Sequence, residues 1–347
     1  MTGRERVKAA MAFQPVDRVP LQYCPTQVGV YEHGEKLNDL YATLPGDFGP
    51  VHRVPVPVLP PEDFDSDGRY HTFTRDEWGT VWERRIFGLW GIPCEYPLTG
   101  TGDEAAETIA AYRFPERALP TGADIARERA EVARLQHQYY TMRGGGSLLE
   151  RLRGLRPEAD FLMDIAANEP YINELADRII DYHVPDIQHA IDVGADCIGF
   201  GDDYGTERGL LMSPVMWRKF FKPRLKRLFE PAVRAGLDIH FHSCGMITPI
   251  IPDLREVGAT SIWPQIPAYD MAELAALCRA EHLAVAIHTD RANVMTNGTP
   301  AQVRELVKRE YDAFRMMDGG SWFYVEADNG FPFENIEAMI ETIALWR

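Results

Sequence analysis

Between residues 196 and 328 the chain repeats one pattern. A short apolar run ends in polar residues, and a stretch of helical length follows. The runs are 196–203, 238–244, 259–265, 283–290 and 321–328, with helical stretches around 247–257, 270–281 and 299–317. Two longer helices are expected, over 170–191 and from Ser213 toward Gly236. Ser213 followed by Pro214 is a favoured helix start, while Pro223 and Pro231 are expected to kink or divide that helix. Strands that alternate with helices and are apolar throughout imply a parallel sheet covered on both faces.

Three further strand candidates lie upstream, at 18–24, 139–143 and, more weakly, 161–166. Eight units in 347 residues favour an α/β fold of the (β/α)8 TIM-barrel kind over an open doubly wound sheet. Residues 25–135 are rich in Pro and Gly and lack a single period. They are read as an elaborated N-terminal insertion after the first strand, so that 1–347 forms a single barrel domain. Inside the insertion, 71–85 alternates β-formers around Gly79 and predicts a hairpin. Trp78 and Trp82 are expected to be packing residues there.

Charge narrows the function. The chain carries 52 acidic against 36 basic residues, a formal net charge of −16, with no basic stripe. Nucleic acid and acidic membrane surfaces are therefore unsuitable partners. No apolar run reaches the roughly 18 residues that span a bilayer, and the charged start MTGRERVK does not read as a signal peptide. Five scattered cysteines do not form a disulfide framework, which suits a reducing cytoplasm. These features point to a cytoplasmic protein that handles a small molecule.

The catalytic groups of such a barrel sit at the C-terminal ends of its strands. Here those ends read Asp202-Asp203-Tyr204, His240-Phe-His242-Ser-Cys244, Trp263-Pro-Gln265, His288-Thr-Asp290 and Glu326-Ala-Asp328. His242 and Cys244, two apart on a strand, face the same side. Imidazole with thiolate is a zinc-type pair, too soft for Mg²⁺ or Ca²⁺. Glu326 or Asp328 could supply a third ligand and leave an open fourth position. Asp202 and Asp203 must face opposite sides, so one of them enters the mouth, as acid, base, substrate clamp or support for the metal. His288 is placed for proton transfer. His240-x-His242 also resembles the paired histidines of metal-dependent hydrolases, but those lie on a first strand. There is no GxGxxG, no Walker loop, no GxSxG and no cobalamin-binding Asp-x-His-x-x-Gly. Any corrinoid must therefore be carried by another polypeptide.

Over nearly its full length the chain resembles the uroporphyrinogen decarboxylase superfamily, in its zinc-dependent, corrinoid-linked methyltransferase branch. The resemblance is carried by Asp76-Glu-Trp-Gly-Thr-Val-Trp82, Gly201-Asp-Asp-Tyr-Gly-Thr206, Ser213-Pro and His242-Ser-Cys244-Gly245. It continues in Ser261-Ile-Trp-Pro-Gln265, His288-Thr-Asp290, Gly298-Thr-Pro-Ala-Gln-Val-Arg304 and Phe333-Glu-Asn-Ile336. It implies zinc at the barrel mouth on His242 and Cys244. Many members place a third, cysteine ligand near the end of the last strand. This chain has none there, and Glu326 sits nearest that place, with Asp328 as the other candidate. A carboxylate in place of thiolate makes zinc a stronger Lewis acid, which suits methyl ethers, methoxylated aromatics among them. The implied reaction moves the methyl group of a small methylated substrate to a corrinoid (cobalamin) on a separate protein. Asp203, Tyr204 and Gln265 would orient the substrate, with Asp202 and Trp263 beside them. The alternatives are a metal-free decarboxylase-like lyase and a non-catalytic barrel that binds metal or a corrinoid protein. The lyase reading lacks its arginines: the stretch 21–27 is LQYCPTQ, where true decarboxylases carry an RQAGRY-like segment.

Overall fold

The computed structural model describes residues 1–291 and 293–347. Ten strands occur in it: β1 Leu21–Cys24, β2 Thr72–Arg75, β3 Val81–Arg84, β4 Ile92–Glu95, β5 Met142–Gly144, β6 Cys197–Gly201, β7 Asp238–Ser243, β8 Ser261–Pro264, β9 Ala284–His288 and β10 Ser321–Glu326. Seven of them form one curled sheet in the order β1-β10-β9-β8-β7-β6-β5, and every pair in it is parallel. The expected barrel architecture is present, with seven strands in place of eight among the described residues.

The missing strand is the stretch expected at 161–166, which lies inside the helix Glu158–Ala167. Phe161 and Ile165, four apart, are its buried apolar residues, and Asp164 between them accepts from the buried Arg156 guanidinium at 2.7 Å. A four-residue spacing is a helical one, and Leu, Met and Ala are good helix formers. Asn168 then ends the helix in the left-handed conformation, at φ 58°.

The gap between β1 and β5 is bridged by a single residue of the insertion. The Asp47 N–H donates to Leu21 O at 2.8 Å, and the Tyr140 N–H donates to Asp47 O at 2.9 Å. The buried Asp47 carboxylate accepts from Arg6, from Arg347 and from the Leu21 N–H. It thereby ties both ends of the chain to the seam.

Helices pack around the sheet. Pro170–Val193 and Pro214–Ala235 bury apolar residues against it and against each other. Ser213 Oγ accepts from the Met216 N–H at 3.2 Å, the expected cap. Pro223 and Pro231 do not divide this helix, which runs unbroken to Gly236 at φ 76°. The barrel interior is filled by alternate residues of the strands. Ala284, Ala286, Trp322 and Tyr324 form one cluster, which Cys24 and Trp263 join. The insertion carries the expected hairpin, β2 with β3, extended by β4 into an antiparallel sheet. Trp78 is buried there against Phe114 and Tyr182. Among the described residues no helix is long and apolar enough to cross a membrane.

Candidate functional site

The end of β7 carries the chemistry. His242 and Cys244 share a face, and Cys244 Sγ lies 3.4 Å from His242 Nε2. His242 Nδ1 lies 2.9 Å from Trp263 O on β8. A carbonyl can only accept, so Nδ1 bears the proton and Nε2 presents a lone pair toward the thiol. Burial lowers the pKa of His242 although Asp203 opposes it, which favours the neutral ring. Burial, with the nearby Asp203 carboxylate, pushes the Cys244 thiol up to about 12.

Asp203 completes the group. Its Oδ1 stands 3.4 Å from His242 Nε2 and accepts from the Cys244 N–H at 2.8 Å. One donor atom from each of Asp203, His242 and Cys244 falls within 4.8 Å of the others. Two loops that meet back to back hold this arrangement. The Gly205 N–H donates to Cys244 O at 3.2 Å, and the Met246 N–H to Thr206 O at 2.8 Å. A Cβ on Gly245, whose φ is +71°, would overlap the carbonyl carbon of Gly205, so the approach requires glycine.

Imidazole, thiolate and carboxylate converging on one point form a cation-seeking set, and its softness suits zinc. Tetrahedral zinc at its usual bond lengths separates nitrogen from sulfur by about 3.6 Å and nitrogen from a carboxylate oxygen by about 3.4 Å. The observed separations of 3.4 Å and 3.4 Å fit that requirement. The Nδ1 bond to Trp263 O is the outer-shell support that metal-binding histidines commonly have.

The other residues read from the sequence divide into two sets. Trp263, Gln265, His288 and Asp290 line the same cavity as His242 and Cys244. The Trp263 ring lies 4.0 Å from that of His242, and Gln265 Oε1 accepts from the Gly245 N–H at 2.8 Å. Burial pushes His288 down to about 3, and its Nε2 has no partner among the described residues. Asp202 and Tyr204 do not reach the cavity. Asp202 is fully buried and accepts from the N–H groups of Leu148 and Glu150 and from the Tyr204 hydroxyl. The Tyr204 ring packs among Trp217, Phe221 and Phe241. Both serve the frame that presents Asp203.

Glu326 is not among the three donors gathered within 4.8 Å. It lies in the same mouth, where burial raises its carboxyl to about 7 against the pull of Arg291, and its buried Oε2 has no partner among the described residues. Asp328 accepts from Arg291 Nε at 2.8 Å. Arg291 itself lines the cavity beside Cys244. No strand-end motif flagged it, because it lies one residue beyond the His288-Thr-Asp290 run.

Comparison with known proteins agrees with this architecture. No curated protein sequence matches the chain. A methyltransferase from Methanosarcina mazei superposes with a TM-score of 0.66 at 14% identity, over 99% of each chain, a likeness of fold. A B12-independent methionine synthase from Shewanella sp. W3-18-1 superposes at 0.45 with 10% identity, over 81% of this chain and 73% of that one. Residues 152–344, more than half of the sequence, match the model of the family described as Uroporphyrinogen decarboxylase (URO-D), and the chain belongs to that family.

Proposed function

We propose that the chain is a zinc-dependent methyltransferase. It moves a methyl group from a small methylated substrate, a methyl ether in the favoured case, to the cobalt of a corrinoid on a separate protein. The observation that carries this reading is the convergence of His242 Nε2, Cys244 Sγ and the Asp203 carboxylate at the barrel mouth. His242, Cys244 and Asp203 would hold the metal, with Glu326 the other candidate for the third place. Zinc bound there supplies Lewis-acid activation of the heteroatom that bears the methyl group.

The chain's own residues do the rest. Cys244 gives up its proton when metal binds, so affinity falls as the pH is lowered. Trp263 forms an aromatic wall against which the substrate is oriented, an entropic contribution to the rate. Gln265, fixed by Gly245, sets the edge of the cavity. Burial lowers the pKa of His288 and keeps its ring neutral, so it would act at the cavity as a neutral hydrogen-bonding group.

The test combines metal content with turnover. The purified full chain should hold about one zinc per molecule, and should methylate a reduced corrinoid protein when supplied with a methyl ether. No zinc after reconstitution, with no methyl transfer, would overturn the reading in favour of the lyase or the non-catalytic barrel.

A further inference from the structure

The methyl-transfer reading gives Arg291 no role, yet it lines the cavity that His242, Cys244 and Trp263 also line. Its Nε donates to Asp328 Oδ2 at 2.8 Å, which sets the plane of the guanidinium. Among the described residues no partner is recorded for its two terminal nitrogens, and the side chain is 39% exposed. The ion pair, whose Asp328 side chain is only 13% exposed, engages Nε and leaves the terminal nitrogens outside it. Folding alone is therefore a poor account of a cation placed beside the three donors.

The geometry points to Arg291 as a specificity-determining residue whose terminal nitrogens bind a carboxylate of the substrate, so that the methyl donor is a small anion such as an alkoxy acid. A guanidinium presents a planar fork that matches a carboxylate in two parallel hydrogen bonds. Here Nε is already used, and the terminal pair is the fork that remains. The cavity is narrow, about 30 Å³. At roughly 10–15 Å³ for one water, that is room for a group the size of a carboxylate or methoxy end. The inference rests on the proposed methyl transfer for the word donor, and on the cavity alone for the anion.

Calorimetric titration of the full chain, with and without added zinc, tests it with two probes of one skeleton, methoxyacetate and 2-methoxyethanol. The wild type should bind methoxyacetate about tenfold or more tightly than the alcohol, the value of a charged hydrogen bond. Arg291→Gln should level the two, and Arg291→Lys should keep part of the preference. Equal binding of the probes by the wild type, binding of neither, or a preference that survives Arg291→Gln would overturn the inference. Metal content measured on the same samples separates the two readings. Zinc with no anion preference removes the role of Arg291 alone, whereas anion preference without zinc removes the metal mechanism and leaves the anion site.

Discussion

The Nδ1 of His242 is held 2.9 Å from the carbonyl oxygen of Trp263, so the ring turns its unprotonated Nε2 toward Cys244 and Asp203. The tautomer is thus set by a backbone group on the neighbouring strand before any metal arrives. This orientation distinguishes the two candidates for the third ligand, because Asp203 faces that lone pair and Glu326 is not among the gathered donors. Metal analysis of three variants should rank them. Cys244→Ala and Asp203→Ala should each lose most of the bound zinc after dialysis, while Glu326→Gln should retain it. Retention by Asp203→Ala together with loss in Glu326→Gln would reverse the assignment.

Cys244 and Asp203 lie 41 residues apart in sequence and meet because Gly205 and Gly245 allow their loops to touch. Gly245→Ala places a methyl group against the Gly205 carbonyl at a positive φ. It should cost about 3 kcal/mol or more, since strain and overlap add. Urea denaturation should show the lower midpoint, and zinc content should fall with it. Gly122→Ala, at the exposed start of the helix Gly122–Leu135 with nothing within 4 Å of the new methyl, should leave zinc content unchanged.

How much of this was legible depends on the range over which each signal acts. His242 and Cys244 were found by the two-residue period of a strand, a local rule, and the orientation of Asp203 against that of Asp202 follows from the same rule. The joining of Asp203 to the pair was not legible, because it depends on a contact between glycines 40 residues apart. Tyr204 was placed beside the substrate by the family resemblance, whereas an aromatic residue at a strand end is more often packing, and its ring does enter a core built by Trp217, Phe221 and Phe241. The segment 161–166 misled because a short apolar run fits strand and helix alike, and the four-residue spacing of Phe161 and Ile165 decided for helix. Asp47 left no trace, as one extended residue in a Pro- and Gly-rich stretch has no period.

Asp47 carries a prediction of its own. Its carboxylate has no exposure and neutralises the buried Arg6 and the Arg347 side chain, while its backbone bridges the seam. Asp47→Asn leaves the buried Arg347 guanidinium without its carboxylate partner, while Arg6 keeps its pair with Asp17, and it should cost about 3–5 kcal/mol, the loss expected when one partner of a buried pair is removed. Asp39→Asn breaks an exposed pair with Arg53 and should cost under about 1 kcal/mol. Parallel denaturation curves of the two variants check the contrast, and equal losses would deny the seam its role.

Glu310 links the barrel mouth to the outer helix Pro300–Phe314, accepting from Thr289 Oγ1 at 3.2 Å while its buried Oε1 has no partner among the described residues. Burial raises its carboxyl from 4.5 to about 8. The folded state therefore holds this proton more tightly than the unfolded chain does. The resulting stability is fully present below pH 4.5 and is lost as the pH rises to about 8. Over that window the loss is on the order of a few kcal/mol. Glu310→Gln keeps a neutral group able to pair with Thr289, so its unfolding free energy should fall less than that of the wild type between pH 5 and pH 8 (about the window in which the carboxyl titrates). Chemical denaturation at the two pH values measures the difference. A wild type and variant with the same pH slope would show that Glu310 does not carry its proton into the fold.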